Sequence, residues 1–473
     1  MSTTASHKKS DLTVGPIGRK LALFALPLLG SSLIQQLYNT VDIFFVGNFV
    51  SDSNAMSAVG ASALIVSLLV GFFTGMSVGA GVVVSLFYGE HNDKKLSQAV
   101  HTAIMIGLIG GIVLTIVGVI ASPLLLQWMN TPPEILDMAV TYLRIYFLSL
   151  LSLLLYDMGV GILRAVGDSK RPLLYLAVGG VLNVLLDLIF VWLFQWGVTG
   201  VAVATLISQT VPAVLVMVHL LRVKRPYRIV VKKLRLHKEM VRRIFRVGIP
   251  AGVQSIVITL SNMVVQYHIN SFGPDAIAAF TAYFKVELLL YLPIVSFGQA
   301  VTTFTGQNVG AGQYQRVQKG VRLGLLLGVL FTGCMATVVT LFGRQIYGCF
   351  TGDAAVIDKG MEVLLFTAPM YFLYVFLEVF SGAVRGSGSS AVPMVIVIAN
   401  MCVLRVVLLT VLVPLWNTIS AVAICYPITW FTTSFCLGIY YFKGRLYQKI
   451  RSYRMALKLK QETQQVTLPS LNG

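Results

Sequence analysis

Twelve apolar runs divide this chain of 473 residues, and each is long enough to cross a bilayer as a helix, which takes about 20 residues. They predict an all-α integral membrane protein. A soluble fold would have to bury all of them in one core, yet only 11% of the residues are charged, against about 25% in soluble proteins. The predicted spans are residues 18–46, 55–86, 98–121, 138–163, 172–194, 198–221, 246–270, 277–306, 320–342, 361–384, 393–414 and 418–442.

The positive charge of the chain is concentrated in particular loops. Eleven of the 36 basic residues lie between Arg222 and Arg246, and seven more lie between Lys443 and Lys460. Basic loops of membrane proteins face the cytoplasm, so we expect a multi-pass protein of the cytoplasmic membrane with both termini inside. Contact with membrane lipid accounts for the net charge of +18, and we expect no nucleic-acid partner.

The two halves of the chain carry an internal repeat. The segment ILRAVGDSKRP of the first half corresponds to AVRGSGSSAVP in the second. Because each half has an even number of spans, the two copies run parallel, and paired bundles of this kind are typical of alternating-access transporters. Matching residues recur at an offset of 221 or 223 positions: Pro172 with Pro393, Arg164 with Arg385, Pro27 with Pro250, and Asn39 with Asn262.

The repeat predicts how the chain divides into domains. Each lobe holds six spans, and the strongest charge run separates the lobes. The predicted segments are a cytoplasmic N-terminal segment (1–17), a first lobe (18–221), a basic cytoplasmic linker (222–245), a second lobe (246–442) and a basic cytoplasmic tail (443–473).

Span one carries Gln35, Asn39 and Asp42 at spacings that place them on one helical face. A charged residue in the middle of a membrane helix costs about 2.5–3.5 kcal/mol on insertion scales, so its presence indicates a function. Pro27, near the start of the span, removes a backbone hydrogen bond and is a candidate hinge. The other acids that lie more than one helical turn inside the predicted spans are Asp157, Asp187, Glu287 and Glu378.

The distribution of charge differs between the two lobes. Span five supplies Asn183 and Asp187, four residues apart and therefore on one face, and span six supplies Thr205. The first lobe has three acids well inside its spans and no central cation, whereas the second has two such acids with Lys285 and Arg405. Unpaired carboxylates in apolar surroundings take up a proton or a cation. This imbalance predicts ion coupling in the first lobe.

The charges of the second lobe are expected to form structural ion pairs. Arg405 on span eleven is placed to neutralise Glu378 on span ten, and Lys285 lies near Glu287. Pairs of this kind need no role in transport. Direct action of Glu287 and Glu378 on the substrate is the alternative, and the sequence leaves it open.

Candidate cavity residues come from both lobes. Gln254 recurs with Ser261 and His268 at seven-residue spacing, which favours either a cavity wall or helix–helix hydrogen bonding. Tyrosine rings bind cationic compounds through their faces, although packing is the alternative for each one. The candidate set for cavity and substrate is Gln35, Tyr38, Asn39, Gln254, Tyr283, Glu287 and Glu378.

Four sequence blocks carry a resemblance to a known family: LPLLGSSLIQQLYNTVDIFFVGN, GILRAVGDSKRP, GVAVATLISQ and TGQNVGAGQ. Over nearly its full length the chain resembles the multidrug and toxic compound extrusion (MATE) family, and its Asn183 and Asp187 pair resembles the DNA-damage-inducible F subgroup. The resemblance implies that Asp42, Asn183, Asp187 and Thr205 form a polar cluster inside the first lobe. Oxygen ligands of these types suit Na⁺ as well as H⁺.

Asp157 departs from the pattern of the family it resembles, which often has asparagine there. A carboxylate at this position adds charge to the cluster, and its repeat partner is the acid Glu378. Compensation by Arg164, two turns further along the helix, is the alternative. Asp157 is therefore the fifth candidate for ion coupling.

The resemblance and the polar residues predict a secondary active antiporter and not an enzyme. It would export small organic compounds, cationic or amphipathic, in exchange for H⁺ or Na⁺ by alternating access of two lobes. We expect no cofactor beyond the coupling ion, and a monomer.

Three other functions are weighed against this prediction. A lipid-linked oligosaccharide flippase of the same superfamily would be expected to have a cationic cavity, whereas the spans hold five acids well inside their ends and two central cations. A polytopic membrane enzyme needs clustered catalytic residues at a surface loop, such as DDxxD, and the sequence has none. A channel is less compatible with the two-lobe repeat.

Overall fold

The computed structural model describes residues 11–50, 54–444, 446–452 and 455, and these residues contain no β-strand. Twelve helices are long and apolar enough to cross a membrane, which confirms the predicted all-α membrane fold. A short helix, Gly343–Gly348, connects two of them. The twelve are α1 (Ile17–Phe49), α2 (Ala55–Gly89), α3 (Asp93–Trp128), α4 (Pro133–Ala165), α5 (Lys170–Leu193), α6 (Gly197–Arg222), α7 (Lys238–Asn270), α8 (Pro274–Gly310), α9 (Tyr314–Leu341), α10 (Ala354–Gly386), α11 (Ala391–Trp416) and α12 (Ile419–Lys443).

Several helices extend beyond the apolar run that predicted them. Helix α7 begins at Lys238, whereas its predicted span begins at residue 246, and α3 begins at Asp93 rather than at residue 98. The side chain of Asn92 caps α3 by accepting a hydrogen bond from the backbone N–H of Lys95 at 3.1 Å. Hydropathy locates only the apolar part of a helix, so polar first turns were assigned to loops.

Two helices contain a π-helical segment next to a buried charge. In α5 the segment Leu188–Leu193 follows Asp187 directly. In α11 the segment Ile398–Leu404 ends immediately before Arg405. A π segment widens the helix locally and is frequent at functional sites, so both charges lie where the backbone is irregular.

Contacts divide the chain into two compact units. The first unit is built from Leu23–Val264, and the second from Leu12–Ala22 together with the chain from Val265 onward. The largest apolar core of the first unit combines residues of α2, α3, α4 and α6, among them Val84, Ala103 and Val216. The lobe boundaries drawn from the repeat stay a prediction.

In the second unit, side chains of the TGQNVGAGQ block hold the segment that precedes α1. Gln307 Oε1 accepts the backbone N–H of Leu12 at 3.0 Å, and the side-chain amide of Asn308 donates to the carbonyl of Leu12 at 3.3 Å. Arg316 donates to the carbonyl of Gly15 at 3.1 Å and to Asn308 Oδ1 at 3.2 Å. The block is therefore a binding site for this segment of the chain.

The backbones of α8 and α10 touch directly at two glycines, one turn apart. A methyl group at Gly386 would lie 2.3 Å from the carbonyl oxygen of Thr302, and one at Gly382 would lie 2.5 Å from that of Gly298. Small residues allow membrane helices to approach this closely.

Replacement of Gly386 by alanine is expected to lower the free energy of unfolding by about 1–3 kcal/mol, because the added methyl group meets backbone that cannot turn aside. Thermal and denaturant unfolding in detergent would measure the loss. The matched control is Gly333→Ala in α9, where no atom outside the neighbouring backbone of the same helix lies within 4 Å of the new methyl group. Equal stability of the two variants would contradict the prediction.

Candidate functional site

A small, partly open cavity lies in the first unit beside the polar face of α1. Gln35, Tyr38 and Asn39 all contribute to its wall, so three of the seven predicted cavity residues lie together. Helices α4, α5 and α6 supply the rest of the wall: Leu153, Tyr156, Leu176, Ser208, Gln209 and Pro212.

The cavity wall is joined to a buried polar cluster through α6. The Tyr38 hydroxyl donates a hydrogen bond to Ser208 Oγ. Ser208 Oγ in turn donates to the carbonyl of Thr205 at 3.1 Å, one turn earlier in the helix. The Thr205 hydroxyl lies 3.3 Å from Asp42 Oδ2 and 2.9 Å from the carbonyl of Val201, so these two acceptors share its single hydrogen. A short path of polar contacts therefore links the cavity to Asp42.

Helices α1, α5 and α6 bring Asp42, Asn183, Asp187 and Thr205 together. The side chains of Asn183 and Asp187 both approach the Asp42 carboxylate, and both are fully buried. Thr205 is 4% exposed, whereas Asp42 is partly exposed. The helical spacing places Asn183 and Asp187 on one face, and packing directs that face toward Asp42.

Five buried polar atoms of this cluster make no hydrogen bond of normal length and angle with the described residues. They are Asp42 Oδ1, both polar atoms of the Asn183 side chain and both carboxylate oxygens of Asp187. A buried polar atom without a partner costs about 1–3 kcal/mol, so such a concentration indicates a ligand. Four of the five atoms are oxygens, which can accept a proton or coordinate a hard cation.

Asp157 does not join this cluster. Its carboxylate accepts a hydrogen bond from Thr74 of α2 at 3.5 Å, and its backbone carbonyl accepts one from Ser77 at 2.5 Å. The Arg164 guanidinium interacts electrostatically with it. The expectation that Asp157 adds charge to the cluster is therefore wrong in this structure, because α4 turns this side chain toward α2.

Pro27 interrupts the hydrogen-bond pattern of α1 within the helix. It has no N–H to donate to the carbonyl of Leu23. One turn further along, the Ser31 hydroxyl donates to the carbonyl of Pro27 at 2.9 Å, which leaves the Leu23 carbonyl without its usual helical donor. The predicted hinge therefore lies in a helix that is continuous but has one backbone bond fewer. Its role in movement stays a prediction.

In the second unit, Glu287 belongs to a chain of hydroxyl groups. Tyr371 donates to Glu287 Oε1 at 2.6 Å, and the hydroxyls of Tyr283 and Tyr371 lie 3.2 Å apart. Because Tyr371 uses its hydrogen on Glu287, Tyr283 is the donor in the second contact. Tyr283 is fully buried and thus has no exposed ring face for a substrate in this structure.

Glu378 pairs with Arg385 rather than with the predicted Arg405. Arg385 lies two turns further along the same helix, and its Nη2 is 3.2 Å from Glu378 Oε2. The two side chains are only 16% and 13% exposed. A partner within the same helix needs no particular packing of α10 against α11, whereas the predicted pair does.

Arg405 is buried against aromatic and hydroxyl groups. Its guanidinium carbon lies 4.6 Å from the centre of the Tyr426 ring, and its Nη2 donates to Thr429 Oγ1 at 3.0 Å. It acts electrostatically on Glu287, not on Glu378. Lys285 is exposed and forms no ion pair within the described chain. The predicted pairs of Arg405 with Glu378 and of Lys285 with Glu287 are therefore both absent from the described residues.

Gln254 lies on α7 and is 8% exposed, but it does not line the cavity.

Sequence reasoning also missed residues that the structure brings into these sites. The seven-residue step from Glu378 to Arg385 could have identified their pairing, since it spans two helical turns. The sequence has no comparable spacing that would identify the apolar residues of the cavity wall or the residues that contact Arg405. The missed residues are Leu153, Tyr156, Leu176, Pro212, Tyr371, Arg385, Tyr426 and Thr429.

Known proteins share both the sequence and the fold. Multidrug resistance protein YoeA of Bacillus subtilis, described as probable, is 30% identical over 83% of this chain and 85% of its own length. Multidrug export protein MepA of Staphylococcus aureus is 26% identical over 79% and 82%. The structure of an outward-facing multidrug resistance MATE family transporter of the MOP superfamily superposes with a TM-score of 0.86 at 21% identity, covering 94% of this chain and 98% of that chain.

The MatE family profile matches residues 27–189 and 250–411, which together exceed half of the chain. The two matched segments begin at Pro27 and Pro250, the residues that the internal repeat pairs. The profile and the named relatives establish a transporter rather than an enzyme. The chain therefore belongs to the MatE family of multidrug efflux transporters.

Proposed function

We propose that the protein is a secondary active antiporter of the cytoplasmic membrane. It exports small organic compounds, cationic or amphipathic, in exchange for H⁺ or Na⁺. Both termini lie in the cytoplasm, and the working unit is a monomer. The names of the relatives, which refer to multidrug resistance and multidrug export, support organic compounds as substrates.

The observation that carries this proposal is the set of unpartnered oxygens at Asp42, Asn183 and Asp187. A proton on a carboxylate, or a cation among these oxygens, would supply the interactions that the protein itself leaves open. The cavity lined by Gln35 and Tyr38 lies at the other end of the Ser208 and Thr205 path, so ion and substrate would occupy neighbouring positions in one unit.

The proposed cycle follows from charge. With Asp42 and Asp187 ionised, the first unit attracts an organic cation into the cavity. Uptake of H⁺ or Na⁺ reduces the negative charge of the cluster, weakens this attraction and alters the packing of α1 near Pro27. The ion can drive the change only if it binds the two conformations with different affinity. Alternation of the two lobes then releases the compound outside.

Transport by purified protein in sealed vesicles would test the proposal. We expect radiolabelled tetraphenylphosphonium to move against its concentration gradient when a pH gradient or a Na⁺ gradient is imposed, and to show counterflow without either. Transport by only one gradient would identify the coupling ion. Failure with both gradients would overturn antiport. Movement of a labelled lipid-linked oligosaccharide, with no movement of the cation, would favour the flippase alternative.

A further inference from the structure

The linker between α6 and α7, Val223–His237, is folded against the first unit rather than extended. Tyr227 and Ile229 are 8% and 3% exposed, and both pack into the largest core of the first unit. The backbone N–H of Ile229 donates to the carbonyl of Leu220 at 2.9 Å, which returns the chain to the end of α6.

Two histidines hold the following stretch at its ends. His101 of α3 is 1% exposed, and its Nε2 accepts the backbone N–H of Val230 at 2.9 Å. Its Nδ1 lies 2.6 Å from the carbonyl of Ser97, a contact in which Nδ1 is the donor. At the other end, the backbone N–H of His237 donates to Thr102 Oγ1 at 3.2 Å.

Between these two attachments the chain presents apolar and cationic side chains outward. Val231 is 67% exposed and Leu236 is 49% exposed. Lys232, Lys233 and Arg235 are exposed between them, and Val231–Lys233 forms a single 3₁₀ turn. We name Val231–Leu236 the basic apolar stretch. Apolar and cationic side chains therefore adjoin one another on a short stretch of backbone that is fixed at both ends.

The surroundings of the basic apolar stretch are strongly positive. The segment from Arg222 to Arg246 holds eleven basic residues and one acid, Glu239. That acid is already paired with Arg243 at 2.8 Å. Both flanking helices are membrane helices, so the nearest extended surface of opposite charge is the headgroup layer of an anionic bilayer.

We propose that the basic apolar stretch binds the surface of a bilayer that contains anionic phospholipid. Val231 and Leu236 insert between headgroups, and Lys232, Lys233 and Arg235 contact the phosphates. Each cation at such a surface strengthens association about fivefold, so three contribute roughly 100-fold. A soluble polyanion would be attracted by the same cations but would give no role to the two exposed apolar side chains.

Amide hydrogen exchange of the full chain in lipid nanodiscs would test this proposal. One set of discs contains phosphatidylcholine alone, and the other an equimolar mixture with phosphatidylglycerol. We expect backbone exchange at residues 231–236 to be roughly tenfold slower in the anionic discs, and this difference to shrink in concentrated salt because salt screens exposed charge. Equal exchange in both kinds of disc would overturn the proposal.

Three variants identify the groups responsible. The variant K232Q/K233Q/R235Q is expected to lose the lipid-dependent protection, and V231S/L236S to lose part of it; both change only exposed side chains. The matched control, K94Q/K319Q/R322Q, removes three exposed cations elsewhere and should keep the protection. Equal loss of protection in this control would overturn the proposal. An RNA oligonucleotide added to neutral discs is a second test: if it slows exchange as much as anionic lipid does, or more, the proposal is also overturned. The readout is independent of transport, so failure of antiport would leave it unaffected.

Discussion

Replacement of Asp42 by asparagine is expected to reduce gradient-driven efflux at least tenfold, to about the rate without a gradient. An amide of the same size still accepts the hydrogen bond from Thr205, so the packing of α1 is preserved. It does not take up a proton near neutral pH, and it contributes no charge for a cation. An ion that binds both conformations equally shifts no population, however steep its gradient.

Uphill transport and counterflow, measured on the same vesicles, would check this expectation. Counterflow should persist in Asp42→Asn because it needs no ion gradient. The matched control is Asp137→Asn, which alters an exposed carboxylate on α4 and should leave both measurements unchanged. Undiminished gradient-driven efflux by Asp42→Asn would rule out Asp42 as a coupling residue. Loss of counterflow as well would indicate damage to substrate binding or to the fold.

Removal of Arg385 is expected to lower the free energy of unfolding by about 3 kcal/mol, because it leaves the buried Glu378 carboxylate without its counter-charge. The pair lies on one helix at 3.2 Å, and both side chains are mostly buried. Neutralising both members as Glu378→Gln with Arg385→Gln should recover most of this loss, since no uncompensated charge remains. Denaturant unfolding in detergent of the two single variants and the double variant would measure it.

The control for this experiment is an exposed ion pair in the same unit. Arg344 and Asp358 are 2.6 Å apart, but their side chains are 67% and 58% exposed. Arg344→Gln should therefore change the free energy of unfolding by less than about 1 kcal/mol, since water solvates the remaining carboxylate. If the losses from the Glu378 and Arg385 variants were simply additive, the two residues would be independent and the pairing would be refuted.

Most of the architecture could be predicted from local properties of the sequence. Twelve apolar runs predicted twelve membrane helices, because the thickness of a bilayer sets the length of each run. The offset between Pro27 and Pro250 predicted the repeat that the MatE profile also detects. The spacing of Asn183 and Asp187 placed both side chains on one face of α5, because helical geometry has a constant period.

Predictions that required knowledge of neighbouring helices were less successful. Asp157 was assigned to the ion cluster, yet its carboxylate faces Thr74 of α2. Arg405 was assigned to Glu378, yet it packs on Tyr426 and Thr429 of α12. In each case the charge was identified correctly as lying inside a span. Its partner was wrong, because periodicity says which face a side chain occupies and not which helix that face meets.

Asp42 illustrates where the boundary between the two kinds of information lies. Hydropathy and helical period were enough to identify it as a costly acid on a polar face of α1, since both are properties of adjacent residues in the chain. Its contact with Thr205 and its place beside Asn183 and Asp187 depend on how α1, α5 and α6 pack. Packing sums many weak contacts over distant parts of the chain, so only the tertiary structure decides which atoms meet and which oxygens remain open to an ion.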